Sequence, residues 1–184
     1  MGDSISTVEN FKLSDFLQKD MDFIEEYMRV MQYLKPTKTK NKIFDMRLRD
    51  VQDIKDNLSL GTFEDIIKCV AITEEKDFDT VLKMKIINFW GLVLSIKKQI
   101  EDINHMEKVS LDTDQVNFRW EGVNGGERLA IFGIYNTLDT LAGGNILKWQ
   151  EVLDLPYADV FTKMYMNRVK ADIEMEMAQL KTTR

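Results

Sequence analysis

The side chains able to do chemistry are few and scattered. The chain has one histidine and one cysteine. Nucleophilic catalysis needs a base held beside the nucleophile. Cys69 falls inside an apolar helical stretch beside Val70, where nothing nearby lowers a thiol pKa. His105 falls at the polar-to-apolar boundary near a helix end. Both read as structural residues. One Cys and one His cannot fill a structural zinc site, and a lone Cys makes no internal disulfide. Walker, Gly-x-Gly-x-x-Gly and His-Glu-x-x-His patterns do not occur. Asp112-x-Asp114 opens like a calcium loop. Its sixth position is then Asn117 and its twelfth Val123, where the loop needs Gly and a bidentate Glu. Gly125-Gly126 and Gly143-Gly144 have the flexibility to cradle a phosphate at a helix N-terminus. Neither pair is followed by Lys-Ser or Lys-Thr, so loop and helix C-cap roles are expected. Glu25/Glu26 and Glu174/Glu176 read as solvated charges. An enzyme reading would need Asp112, Asp114, Glu121 and Glu127 gathered in a deep pocket around a divalent metal. The expectation is no enzyme, no cofactor, no metal and no small-molecule substrate.

One charge feature stands above background. Lys35, Lys38, Lys40, Lys42, Arg47 and Arg49 fall within 15 residues against Asp45 alone, in a chain whose net charge is −6. A flexible basic segment suits phosphates or an acidic protein surface. No aromatic residue interleaves the four lysines, so base stacking is not expected. Residues 35–42 carry no apolar side chain and read as an exposed linker.

The elements that must position these groups are helical. Residues 1–12 are polar and aperiodic and read as an arm. Leu13, Phe16, Leu17, Met21, Ile24, Tyr27, Met28, Met31 and Leu34 recur at steps of three and four. That predicts one helix, capped by Ser14 and stopped at Pro36. Leu48, Val51, Ile54 and Leu58 predict a short helix. Thr62-Phe-Glu-Asp65 resembles a capping box with Asp in place of Glu, opening a helix to about Ile72. The longest predicted element runs over about 79–107, apolar nearly all round in its first two-thirds, as expected of a helix buried from several sides. Val116, Phe118 and Trp120 alternate as a short strand or hairpin would. After Arg128 the helical pieces are short, with caps expected at Asn136 or Thr137 and at Asn145. Pro156 is expected at the first position of a last helix. That helix carries Val160, Phe161, Met164, Tyr165, Val169, Ile173, Met177 and Leu180.

The expected fold is therefore all-α: a helical bundle around the long central helix, with a C-terminal appendage of short helices and a long amphipathic tail helix. The organisation is an arm at 1–12, a bundle at 13–107, a loop or hairpin at 108–127, and short helices with the tail at 128–184. At 184 residues with 44% apolar side chains, the chain can build a packed core. The N-terminus shows no basic and apolar signal pattern. Gly2 with Ser6 fits a short acylation pattern that no other feature supports. The most apolar run, Ile86 to Ile96, is bracketed by Lys85 and Lys97 and is too short to span a bilayer. No membrane partner is expected.

The stretch Gly125-Gly-Glu-Arg-Leu-Ala-Ile-Phe-Gly-Ile-Tyr-Asn-Thr-Leu-Asp-Thr-Leu-Ala-Gly-Gly-Asn-Ile-Leu-Lys-Trp-Gln-Glu-Val-Leu-Asp-Leu-Pro-Tyr has a particular rhythm. Short helices end at Gly pairs, Trp149-x-x-Val152-Leu153 makes a turn, and Leu155-Pro156-Tyr157 starts the last helix. Over about 125–175 the chain resembles small all-helical assembly proteins of tailed bacteriophages. Two groups fit: the head–tail connector or adaptor ring protein, and the tail assembly chaperone. The resemblance implies a virion structural protein at the head–tail junction, made in the bacterial cytoplasm. It would form a homo-oligomeric ring and touch the portal and neighbouring tail or connector proteins. Met164, Tyr165, Val169, Ile173, Met177 and Leu180 would then lie at subunit contacts, and Lys35 to Arg49 could touch DNA nonspecifically. A chaperone would instead bind a hydrophobic tail-protein segment through a Met-rich groove.

Overall fold

The computed structural model describes residues 11–31, 33–112 and 122–182, with the side chains of 179, 181 and 182 left undescribed. The fold is all-α. Ten α-helices and two single 3-10 turns are present among the described residues, and no strand. The expected hairpin at 116–120 lies outside the described residues. Of the described residues, 11–46 and 50–103 form one unit, and 47–49 with 104–182 form the other.

In the first unit, the expected helix from Leu13 is two helices, α1 (Leu13–Phe16) and α2 (Met21–Met31). Ser14 is not the cap: it lies inside α1, and its hydroxyl donates to Asp15. The break is made by Asp20, whose carboxylate accepts the N–H of Phe23 at 2.9 Å and restarts the helix. Phe16 and Phe23 pack against Tyr27 with centroids 6.0 and 4.5 Å away, which ties the two pieces together. Next come α3 (Leu48–Leu60) and α4 (Phe63–Glu74). Thr62 caps α4 as expected, accepting from the Asp65 N–H at 3.2 Å. The return bond differs from a capping box: the Thr62 hydroxyl donates to the Asp65 carboxylate.

The element expected over 79–107 is also two helices, α5 (Phe78–Leu82) and α6 (Ile86–Leu111). No Gly or Pro marks the break. It is tertiary: Leu13 donates to the Met84 carbonyl at 2.8 Å, and Ile86 donates to the Phe11 carbonyl at 2.9 Å. Lys12 and Lys85 thus form an isolated antiparallel bridge. Chain before the first helix has taken hydrogen bonds that a continuous helix would have kept. Phe89, Val93 and Ile96 of α6 are buried, as are Ile54, Ile67, Val70 and Val81 of the same unit. Phe63 stacks on Phe89 at 5.9 Å and meets Trp90 edge-on at 6.1 Å.

Residues 35–42 are exposed as expected, except for Thr39 and Asn41, and hydrogen bonds hold them as an ordered strap. Thr37 donates to the Gly91 carbonyl at 2.8 Å. Thr39 is buried and accepts from Gln99, and Gln99 in turn accepts the Ile43 N–H at 3.0 Å. Lys40 pairs with Glu75, and its N–H donates to Glu74 at 2.8 Å. Side-chain hydropathy misses such a strap, because hydrogen bonds of its backbone and polar side chains do the holding. Glu75 ends α4 with φ of 51°, in the left-handed region that glycine adopts more cheaply. Its carboxylate accepts from Asn41 and Lys40, a latch glycine cannot supply.

Three carboxylates of this unit lie below their ordinary values. Asp65 is lowered first by the Thr62 hydroxyl, Glu75 by Lys40 and Asn41, and Asp77 by the Thr80 side chain and N–H. A carboxylate held lower in the folded chain stabilises it above the unfolded value, and that stability is lost as pH falls through the folded value. The unfolded values are 4.5 for Glu and 3.8 for Asp. The unfolding midpoint is therefore expected to fall as pH drops below 4.5, with Glu75→Gln flattening part of that fall. A thermal scan series in pH checks it; identical slopes for the two chains would contradict the latch.

In the second unit, α7 (Gly125–Ala130), α8 (Ile134–Leu141), α9 (Trp149–Leu153) and α10 (Tyr157–Thr182) follow. Gly125-Gly126 opens α7, not closes a helix as expected. Gly133, at φ of 48°, precedes α8, so neither Asn136 nor Thr137 is its cap. Gly143-Gly144 does close α8: Gly144 donates back to Asp139 at 2.9 Å with both glycines at positive φ. Asn145 caps as expected, but over a 3-10 turn, Ile146–Lys148, ahead of α9. Pro156 stands just before α10, and its carbonyl accepts from Asp159 and Val160. Tyr157 is buried, and its hydroxyl donates to Glu107. Burial and that carboxylate push the phenol well above its ordinary range.

Candidate protein interface

Neither residue first considered for catalysis has the setting for it. Cys69 is buried, its thiol contacting the Ile54 carbonyl at 3.7 Å. Burial, and then the Asp65 charge, push it up to about 12. A thiol so held stays protonated and unreactive near neutral pH. His105 is exposed on α6. Asp112 is exposed, and its carbonyl accepts from Arg168 at 3.0 Å. Asp114 and Glu121 lie outside the described residues. Among the described residues no group of three or more His, Cys, Asp or Glu is placed to hold a metal ion, and no helix is long and apolar enough to cross a membrane.

The basic segment is divided by the fold. Lys40 is paired with Glu75. Arg49 meets Asp154 at 2.8 Å and Arg47 meets it at 3.8 Å. Lys35, Lys38 and Lys42 are exposed. Half of the segment's cations therefore already face a carboxylate of the chain.

The apolar surface is distributed unevenly. Among the described residues, the first unit buries eighteen apolar side chains and leaves seven large ones exposed. The second unit buries six and exposes thirteen. Scattered exposed apolar residues are ordinary, whereas a contiguous set marks an interaction surface.

Part of the exposed set lies on α10. At 3.6 residues per turn, Tyr165, Met166, Val169, Ile173, Met177 and Leu180 share an arc of about 120°. Tyr165, Ile173 and Leu180 are 45%, 50% and 73% exposed, and Met166 and Met177 lie in the same range. Val169 is half-buried. The opposite side faces its own unit: Tyr157 and Val160 are buried, while Phe161, Met164, Arg168 and Asp172 are half-buried. Met164 therefore departs from the expected set. It lies about 100° from Tyr165, on the side away from Ile173. Arg168 pairs with Asp172 along that inner side. Phe161 stacks on Tyr165 at 6.5 Å, at the border between the two faces.

A second exposed set comes from the short helices. Ile131 and Phe132 occupy the turn after α7, and Ile146 and Leu147 the 3-10 turn before α9. Tyr135 packs on Trp149 with centroids 5.4 Å apart. The Trp149 indole nitrogen is buried with no hydrogen-bond partner. Sequence reasoning spread these residues along helices and missed the set. The available signal was the adjacent pairs 131/132 and 146/147, which no single helical stripe can bury together. Comparison with protein-family models, with curated proteins and with solved structures returns no match.

Proposed function

We propose that this chain is a non-enzymatic assembly protein that works through protein contacts of its second unit. The observation that carries the reading is the exposed apolar excess there, thirteen large side chains against six buried ones among the described residues. A unit that buries so little of its own apolar surface is completed by a partner. The resemblance of residues 125–175 supplies the setting: a tailed-phage virion, at the head–tail junction, as a connector ring between portal and tail. A ring uses heterologous contacts, so each subunit must offer two different patches. The stripe on α10 and the exposed apolar residues of the short-helix turns, Ile131, Phe132, Ile146 and Leu147, are the candidates for them.

The test is the native mass of the purified chain by light scattering, alone and with the portal protein of the same phage, alongside negative-stain images. A closed ring of about a dozen subunits, alone or on the portal, supports the reading. A chain that neither self-assembles nor binds the portal, and that is missing from purified virions, contradicts it and favours the tail assembly chaperone.

A further inference from the structure

The break between α5 and α6 stands where no residue asks for one. A sharp break in a helix ordinarily falls at Pro, at Gly or where a group inserts into the hydrogen-bond ladder. Here it falls at Lys83-Met84-Lys85, all good helix formers. Lys83 keeps right-handed helical dihedrals, so only Met84 and Lys85 separate it from α6. The inserted group is chain from elsewhere: Ile86 donates to the Phe11 carbonyl, and Leu13 donates to the Met84 carbonyl. In an unbroken helix Ile86 would donate to Leu82, and Met84 would accept from Asn88.

The apolar pattern runs straight through the break. Phe78, Leu82, Ile86, Phe89, Val93 and Ile96 follow at steps of four, four, three, four and three. On one continuous helix these six would share an arc of about 80°. The observed arrangement abandons that phase at α5. The four members from Ile86 onward are buried, but Phe78 is 38% exposed and Leu82 is half-buried. Val81 is fully buried instead, although on the continuous helix it would lie about 60° outside the arc.

We propose that α5 and α6 have two arrangements, and that the segment Phe11–Phe16 selects between them. With the segment docked they are separate helices. With it withdrawn they join as one helix over Phe78–Leu111, about 50 Å long. This is a device of the first unit, independent of the contacts of the second.

The docked segment contributes two backbone bonds and the fully buried Leu13 and Phe16. The broken arrangement is therefore that of the free chain. A surface that takes Leu13 and Phe16 in place of this unit removes all four contributions together. The freed Met84 carbonyl and Ile86 N–H then find helical partners in Asn88 and Leu82. Neither arrangement leaves these backbone groups unpaired, which is what makes two discrete states available to one sequence.

Backbone chemical shifts of the isotope-labelled full chain test this at Met84. In the native chain Met84 is expected to be non-helical. Leu13→Asp with Phe16→Asp undocks the segment and is expected to move Met84 to helical values. Adding Lys85→Pro is expected to move it back. Proline bars a helix through position 85, yet removes neither bond of the bridge, which belong to Ile86 and Leu13. Cys69 is buried in the same unit and should stay unreactive to a thiol reagent, which shows that the unit is folded. Non-helical shifts at Met84 in the undocked chain, with Cys69 still protected, overturn the proposal. Where that variant exposes Cys69, the milder Leu13→Ala with Val81→Ala decides, read by relaxation dispersion, which detects a minor state. Its minor state must carry helical shifts at Met84. A minor state with unfolded shifts, or no dispersion at Met84, overturns the proposal.

Discussion

Gly91→Leu is expected to destabilise the first unit by about 3 kcal/mol, at the upper end of what overpacking costs. A Cβ at position 91 would lie 2.2 Å from the Thr37 hydroxyl oxygen, 3.1 Å from the Thr37 Cβ and 3.5 Å from the Lys35 carbonyl. The first separation is shorter than real Cβ contacts and the second is tighter than nearly all of them, so the Thr37 side chain must rotate away or the strap must move. Moving it strains the bond from Thr37 N–H to the Gly91 carbonyl, and with it the hydrogen bonds of Thr39 and Gln99. Gly91→Ala sets two effects against each other. Alanine gains about 1 kcal/mol over glycine inside a helix, while the collision costs about 1–3 kcal/mol. The net expectation is a loss of about 1 kcal/mol, read from urea denaturation. Combining Gly91→Ala with Thr37→Gly should recover most of it, since both close atoms belong to the Thr37 side chain. A stabilised Gly91→Ala with no coupling to Thr37 would mean that the strap does not sit on α6.

Val169→Glu with Ile173→Glu is expected to weaken association about a hundredfold or more, about 2.7 kcal/mol. Two carboxylates placed in an apolar seam must be desolvated without a partner. Stability of the isolated chain should change by less than about 1 kcal/mol, because Ile173 is half exposed and Val169 half-buried. Light scattering over a dilution series reads the first quantity, and thermal unfolding followed by circular dichroism reads the second. Loss of helicity together with association would place both residues in the core of the unit.

The sequence pattern carried the helical class and most helix positions, because stripes at steps of three and four are a local signal. Thr62, Asn145 and the Gly143-Gly144 pair also act locally, and each does what its residue type predicts. The misreadings have a common physical cause. Neither break is marked by Gly or Pro: the one at Leu17–Asp20 is made by the Asp20 side chain capping Phe23, and the one at Lys83–Lys85 by backbone from Phe11 and Leu13. The strap over Gly91 is held by hydrogen bonds of its backbone and polar side chains, which hydropathy does not register. Met164, expected at subunit contacts, is half-buried on the inward side of the helix, a placement periodicity does not give. An apolar position on a helix points either into its own unit or toward a partner, and only the packing of Tyr157, Val160 and Phe161 decides which. The exposure of Ile131, Phe132, Ile146 and Leu147 was illegible because they sit in turns, where helical periodicity gives no inward side.

The central claim is that the outward face of α10 is a protein contact. Hydroxyl-radical footprinting read by mass spectrometry tests it most directly, since methionine oxidises readily and the chain supplies its own references. Met166 and Met177 lie on the stripe at 48% and 53% exposure, Met21 in the first unit is 68% exposed, and Met31 is buried. On going from dilute chain to concentrated or assembled protein, Met166 and Met177 are expected to lose most of their oxidation while Met21 keeps its own. Met166 and Met177 oxidised equally in both states would contradict the account.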